Sequence, residues 1–183
     1  VRASVLYQSQ SDWIDNGFTG ESDALGGHET GAYRLQLFWE PNERLSALLN
    51  IHGWELDGTA RVFRANILEH GSDELVSDFS QDKVYQDGLN DQEISAQGGA
   101  FTLNYEFDFG TLTAITGYET LDMFSRGDID GGFGAVYAPP SGPGFIPFTS
   151  ESADGLPELD QFTQEIRLAS DTGGAWDWLV GFF

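Results

Sequence analysis

The chain is poor in positive charge and contains no cysteine. Only 8 Lys and Arg residues accompany 30 Asp and Glu, which gives a net charge of -22. This balance argues against a nucleic-acid partner, whose phosphates require basic residues. The absence of Cys excludes disulfides, thiolate metal ligands and a cysteine nucleophile. No segment approaches the roughly 18 apolar residues that a membrane helix needs, so a helical membrane protein is excluded as well.

Alternation of apolar and polar residues is the dominant pattern of the sequence. With 40% apolar and 14% aromatic residues, the 183-residue chain is rich enough in apolar side chains to fold. The stretch RLQLFWEPNERLSALLNIHGW at 34–54 has a period of two on both sides of EPNE. Pro41 and Asn42 favour a turn, so the stretch predicts a β-hairpin with one apolar side.

Seven strands are predicted in this way, and two kinds of connection alternate between them. Outside the hairpin the strands are expected at 1–8, 99–107, 111–121, 161–169 and 175–183. On the strand from Thr111, either Leu112, Ala114 and Tyr118 or Thr113 and Ile115 could point to the apolar side. Tight turns are expected at EPNE, at 108–110 and at 170–174, and long segments at 9–29, 55–97 and 122–160.

This alternation of short and long connections is typical of a transmembrane β-barrel, with its short periplasmic turns and long extracellular loops. In compact domains, loops of this length are uncommon unless they have a function. Two further patterns agree: most acidic residues fall in the long segments, and aromatic residues gather near the strand ends as lipid-interface girdles would. Expected girdle residues are Phe38, Trp39, Tyr105, Phe107, Phe109, Trp176 and Trp178 at the tight turns, and Tyr7, Trp54 and Tyr118 at the other end.

Several segments together resemble the early barrel of TonB-dependent outer-membrane receptors. They are RLQLFWEPNERLSALLNIHG, DGTARVFRANI at 57–67, GTLTAITGYETLD at 110–122, and FTQEIRLAS followed by WDWLVGFF. The resemblance implies an all-β, antiparallel up-and-down transmembrane barrel, of which residues 1–183 are a partial domain of about seven strands. A plug domain and the remaining strands would lie elsewhere in a longer protein.

The same resemblance implies a function. Such a receptor takes up a nutrient, for example a ferric siderophore, by active transport across the outer membrane of a Gram-negative bacterium. Its partners are membrane lipid, a small-molecule ligand, and the TonB system acting through an N-terminal region outside this chain. Neither an enzymatic activity nor a cofactor is expected.

Two sets of site residues follow from the predicted strands and loops. Polar residues on the inner face of the strands are expected to face the lumen or a plug: Arg34, Gln36, Asn50, His52, Asn104, Glu106, Glu165 and Arg167. Aromatic residues in and around GAVYAPPSGPGFIPF are candidates for ligand contact: Phe133, Tyr137, Phe145 and Phe148. Each set has a simpler alternative. For the polar residues it is that they only keep the lumen hydrated, and for the aromatic residues it is that the loop packs on its own aromatic side chains.

Metal and catalytic motifs are weak. His28, His52 and His70 lack the spacing of a metal site, so no metal is assigned. RGDIDGG at 126–132 resembles the opening of a calcium loop through Asp128 and Asp130, but no Glu follows at the EF-hand distance; ion binding by the acidic loops stays open. No nucleophile-elbow, phosphate-loop or zinc-protease motif occurs.

Two other classes of protein remain possible from the sequence. A secreted acidic β-sandwich that binds a ligand would bury the apolar strand faces against each other. A passive porin-type channel would share the strand pattern but lack a plug.

Overall fold

Seven strands form one antiparallel sheet in the computed structural model, which describes residues 1–137, 144–171, 173 and 175–183. The described residues contain twelve strands, which are numbered β1 to β12 in chain order. The seven in this sheet are β1 (Arg2–Gln10), β4 (His28–Asn42), β5 (Leu45–Gly58), β7 (Asp91–Phe107), β8 (Gly110–Asp128), β11 (Glu151–Ser170) and β12 (Leu179–Phe182). Each pairs with the strands before and after it in this order. The prediction of an all-β chain with seven antiparallel sheet strands is confirmed.

The register of the sheet places the apolar set of every strand on one side. Leu35 is opposite Ile51, and Leu49 is opposite Phe101. Residues opposite each other in an antiparallel pair share a face. The pairing therefore continues one apolar face across all seven strands, formed by Ala3, Val5, Tyr7, Tyr33, Leu35, Leu37, Trp39, Ala47, Leu49, Ile51, Phe101, Leu103, Tyr105, Phe107, Leu112, Ala114, Tyr118, Phe162, Ile166, Leu168, Val180 and Phe182.

The register also decides the open question on β8. Leu112 is opposite Tyr105 and Leu168, and Ala114 is opposite Leu103 and Ile166. Leu112, Ala114 and Tyr118 therefore belong to the apolar face, and Thr113 and Ile115 to the other side. On the apolar face, Thr116 and Gln164 lie opposite each other and form a side-chain hydrogen bond of 2.7 Å.

No other element of the described chain packs against the apolar face. Every contact between strands is a contact between hydrogen-bonded neighbours. As a result, Leu35 is 44%, Phe101 44% and Ile166 43% exposed, although all three lie well inside the sheet. The sheet is a single layer, in contrast to the usual packing of sheets against a second layer.

The character of this side changes toward the long-loop end of the sheet. On β7 the apolar stretch runs from Gly99 to Phe107, about nine residues. Beyond it, the same side carries Glu55, Ser95 and Asp122, which lie opposite one another in the register. The apolar face is thus a band of limited height bounded by acidic positions at one end.

Two of the three predicted tight turns join strands at the opposite end. At the third, β12 begins only at Leu179, so the predicted start of that strand at residue 175 is wrong. β4 ends at Asn42 and β5 begins at Leu45, and the Asn42 Oδ1 atom accepts the backbone N–H groups of Arg44 and Leu45. This side-chain bond closes the turn locally. β7 and β8 are separated by Asp108 and Phe109 only. Part of the third predicted turn, Thr172 and Gly174, lies outside the described residues.

The strands are longer than predicted at the long-loop end. Residues 122–128 and 151–160 were expected in a loop, yet they pair with each other as the ends of β8 and β11. Residues 55–58 and 91–97 similarly extend β5 and β7. Acidic residues break the alternation there, but backbone pairing needs no apolar face once a neighbouring strand is in register.

The long segments contain five short strands. These are β2 (Ile14–Asn16), β3 (Glu21–Leu25), β6 (Lys83–Val84), β9 (Val136–Tyr137) and β10 (Gly144–Phe145). β3, β2 and β6 form a small sheet in which β2 and β6 are parallel, and β9 pairs with β10. Residues 138–143 of the predicted aromatic loop lie outside the described residues.

Within the described residues the main sheet has two free edges and does not close. β1 pairs with β4 alone and β12 with β11 alone. No helix in this part of the chain is long and apolar enough to cross a membrane.

Candidate functional site

The polar face of the sheet, opposite the apolar face, carries all eight predicted polar residues. Arg34 is opposite His52, and Gln36 is opposite Asn50. The register across β7, β8 and β11 continues the same face to Asn104, Glu106, Glu165 and Arg167. Two girdle residues also lie on this face: Trp54, opposite Ala32, and Phe38, two residues from Gln36 and opposite Leu48. Their predicted position among the lipid-side aromatics is therefore wrong.

A chain of hydrogen bonds crosses the polar face. The Asn50 Nδ2 and His52 Nδ1 atoms are 2.9 Å apart, and His52 Nε2 lies 3.2 Å from the Glu119 carboxylate. Glu119 was not among the predicted residues. The alternation of TLTAITGYETL could have found it, because Glu119 shares the parity of Thr113 on β8.

Gly98 makes the bond between His52 and Glu119 possible. It lies between them in the register, opposite His52 on β5 and opposite Glu119 on β8. A Cβ atom at this position would overlap the Glu119 carboxylate and would come 2.6 Å from the Tyr118 carbonyl oxygen. The missing side chain therefore leaves the space that Glu119 occupies when it reaches across β7.

The other predicted polar residues make fewer contacts. Thr113 donates a hydrogen bond of 2.9 Å to Asn104 Oδ1, and Arg167 Nε lies 2.6 Å from Glu165 Oε1. Arg34, Gln36 and Glu106 make no side-chain hydrogen bond within the described ranges. The structure thus brings part of the set into contact and leaves the rest along one face.

Buried side chains concentrate in the loops. We call the described parts of 11–27, 59–90 and 129–150 the loop assembly. The buried side chains of the loop assembly are Ile14, Asn16, Ala60, Val84, Gln86, Asp130 and Ala135, and Asp128 at the end of β8 is buried next to them. Ala47 is the buried apolar side chain that the main sheet contributes within the described residues. The loops therefore form the packed part of the described chain.

Specific contacts join the three long segments. Residues 15–16 of β2 pair with residues 83–84 of β6, and the Asn16 side-chain amide donates a 2.8 Å bond to the Gln86 carbonyl oxygen. The rings of Phe18 and Phe133 lie 5.1 Å apart. All three segments consequently share one packed unit at the same end of the sheet.

The predicted loop aromatics have different surroundings within this unit. Phe133 packs on Phe18, and the Tyr137 hydroxyl donates a 2.5 Å bond to the Asp130 carbonyl oxygen. Phe145 and Phe148 are 57% and 65% exposed. Phe133 and Tyr137 are themselves 50% and 40% exposed, so these contacts cover the predicted set only in part.

A cavity of about 240 Å³ lies in the loop assembly. Arg64, Lys83, Tyr85 and Phe133 are among its lining residues. Lys83 Nζ lies 5.2 Å from the centre of the Tyr85 ring, within range of a cation–π interaction. Two cationic side chains therefore line this cavity, and one of them lies beside an aromatic ring, in a loop assembly with more acidic than basic residues.

Three carboxylates from two distant parts of the chain form a cluster, which we call the carboxylate cluster. One oxygen each of Asp87, Asp128 and Asp130 lies within 4.8 Å of the others. Asp128 is fully buried and Asp130 is 6% exposed. The sequence singled out Asp128 and Asp130, but Asp87, which is 41 positions away from Asp128, was missed. His28, His52 and His70 are not part of this cluster.

Burial changes the acidity of this cluster. Burial and, after it, the neighbouring Asp130 together raise the pKa of the Asp128 carboxyl to about 6, although the backbone N–H groups of Gly88 and Asp87 oppose the change. Burial and the charges of Asp130 and Asp128 also raise the pKa of Tyr137. The cluster is thus an unfavourable place for several unneutralised negative charges.

Comparison with protein-family models, curated proteins and solved structures gives no match for this chain. Function therefore has to be inferred from the geometry above and from the sequence resemblance.

The space at Gly98 gives a testable prediction. We expect Gly98→Ala to lower the free energy of unfolding by about 1–3 kcal/mol, because the added methyl group overpacks the contact with Glu119 and Tyr118. Gly31→Ala on β4 is the control, since nothing lies within 4 Å of a Cβ there, and its effect should stay within about 0.5 kcal/mol. Reversible denaturation of both variants measures the difference. Equal costs at the two glycines would contradict the assigned contact.

Proposed function

We propose that this chain is part of an outer-membrane β-barrel receptor that takes up a nutrient by TonB-dependent active transport. The observation that carries the barrel is the apolar face, which continues across all seven strands without a second layer in the described residues. The TonB dependence and the ferric siderophore as an example of the nutrient rest on the sequence resemblance.

The dimensions of the apolar face support contact with lipid. A transmembrane strand needs about 9–11 residues, and its outward side alternates with a polar lumen side. The apolar stretch of β7, at 99–107, has about this length, and the polar residues Thr102, Asn104 and Glu106 fill three of its four alternate positions. Acidic residues on the same side at Glu55 and Asp122 would then lie above the bilayer, on the side of the long loops.

The two other classes fit these observations less well. A soluble sandwich needs a second sheet on the apolar face, and no described element packs there. A passive porin would use the same barrel, but it would have no need of a packed loop assembly that encloses a cavity. The polar face then serves as the lumen lining, where the bonds from Asn50 through His52 to Glu119 satisfy polar groups without closing the passage.

The cavity of the loop assembly is the proposed place of first ligand contact. Arg64 and Lys83 offer positive charge and Tyr85 and Phe133 offer ring faces. This combination suits an anionic ligand with aromatic or planar groups. Its position at the long-loop end is where a solute from outside would arrive in an outer-membrane receptor.

Lipid contact predicts opposite effects of the same substitution at neighbouring positions. Leu49→Arg places a charge in the middle of the apolar face and should cost about 2–4 kcal/mol of stability in lipid. Asn50→Arg places it on the polar face and should be tolerated. Reversible unfolding in lipid vesicles measures both, and equal tolerance would contradict the assigned faces.

The 183 residues contain no Cys, so single-cysteine labels can report the environment of each face. We expect a fluorophore at Leu35→Cys or Ile166→Cys to be quenched by nitroxide-labelled lipid in vesicles. A fluorophore at the adjacent Arg34→Cys or Arg167→Cys should instead be quenched by a water-soluble agent. A protein that stays soluble without detergent and shows no lipid quenching would establish the sandwich class instead.

Transport is tested separately in Gram-negative cells that carry the full protein. Uptake of siderophores loaded with radioactive iron should exceed that of the empty-vector control and should stop when the proton gradient is collapsed. Entry of small solutes that continues without the gradient would favour the porin. Lipid quenching without either kind of transport would retain the barrel and contradict the uptake function.

A further inference from the structure

We propose that Asp87, Asp128 and Asp130 bind a hard divalent cation, with Ca²⁺ as the best fit, and that the cation holds the second and third long loops together. The inference concerns the loop assembly itself and does not depend on transport. It starts from the separation of the oxygens. Calcium–oxygen distances are about 2.3–2.6 Å, so two oxygens on one ion are at most about 5 Å apart. The oxygens of the carboxylate cluster lie within 4.8 Å of one another.

The hydrogen bonds of these side chains leave specific atoms for a ligand. Asp128 Oδ2 accepts the backbone N–H groups of Asp87 and Gly88 at 3.0 and 3.2 Å, and Asp87 Oδ2 accepts the Thr149 hydroxyl at 3.2 Å. The Oδ1 atoms of both aspartates are buried, and no N–H or hydroxyl group of the described residues donates to them. Asp128 as a whole is fully buried. A buried carboxylate oxygen without a partner is costly, and a cation between the carboxylates removes that cost.

No protein cation neutralises the cluster among the described residues. The nearest basic residue along the chain, Arg126, faces Glu151, with its Nε atom 3.8 Å from Oε2. Glu151 in turn accepts the Leu89 backbone N–H at 2.7 Å. Three carboxylates without an arginine or lysine among them form an oxygen-only ligand set, which favours Ca²⁺, Mg²⁺ or Mn²⁺ over softer metals.

The positions of the three ligands explain what the cation would do. Asp87 lies near the end of the second long segment, Asp128 is the last residue of β8, and Asp130 lies in the third segment, where Gly132 N–H donates to its Oδ1. A shared ion therefore fixes two loops and a strand end relative to one another. The cavity beside it includes Lys83 and Gly131, so the cation would also stabilise the shape of that cavity.

The test uses the purified full chain in mild detergent and titrates CaCl₂ by calorimetry, with MgCl₂ for comparison. We expect one saturable Ca²⁺ per chain at this cluster. Asp128→Asn should abolish the binding while it preserves the shape of the side chain, and Asp87→Asn, at the less buried ligand, should weaken it. Asp73→Asn is the control, because it removes the same charge from an exposed position in the same loop and should leave binding unchanged.

Limited proteolysis supplies the second readout. Trypsin cleavage after Arg64 and Lys83, both in the second loop, should slow in CaCl₂; for a Kd of about 0.1 mM the rate at 1 mM falls about tenfold. Cleavage after Arg44, in a tight turn at the opposite end, should not change, and it also shows whether each variant is folded. Protection in the wild type and its loss in Asp128→Asn support the site.

Two results would overturn the proposal. The first is the absence of saturable binding by the wild type up to 10 mM CaCl₂, about ten times the weakest Kd typical of extracellular sites; a proton shared by Asp128 and Asp130 would then account for the cluster. The second is equal loss of binding in Asp128→Asn and Asp73→Asn, which would indicate diffuse attraction to an acidic surface.

Discussion

The antiparallel register of the main sheet is the constraint on which the rest of the structure depends. Side chains alternate between the two sides of a strand, so a slip of one residue would exchange the apolar and polar faces of that strand. From Val5 opposite Tyr33 to Leu168 opposite Val180, the observed register contains no such slip within the apolar face. The two shifts of register, between Trp39 and Asn42 and between Leu156 and Leu159, lie beyond the ends of that face. One apolar face and one polar face result, and each is continuous across seven strands.

Because no layer of the described chain covers the continuous apolar face, side-chain packing occurs mainly elsewhere in the chain. The main sheet contributes few buried side chains, and the packed residues lie mainly in the loop assembly, among them Ile14, Val84 and Ala135. The sheet obtains its order from backbone hydrogen bonds and the loops from side-chain packing. In a membrane, lipid would cover the apolar face of the sheet as a second layer does in a soluble protein.

The two candidate sites illustrate two ways of assembling residues. On the polar face, His52 and Glu119 meet because the strands are in register and because Gly98 leaves space between them. In the carboxylate cluster, Asp87 and Asp128 meet because the second long loop folds back onto the end of β8, where two backbone N–H groups fix one carboxylate oxygen. The first arrangement follows from regular pairing, and the second from irregular loop packing.

The sequence by itself determined the all-β class, the seven strands of the main sheet, two of the three tight turns and the common face of the eight polar residues, because alternation with a period of two is a local property. It missed the strand extensions, such as 151–160, because acidic residues hide the alternation while a neighbouring strand still supplies the hydrogen bonds. The placement of Trp54, the contact of Asp87 with Asp128 and the packed loop assembly were decided only by the tertiary structure. These features depend on residues far apart in the chain, and no local pattern records which of them meet.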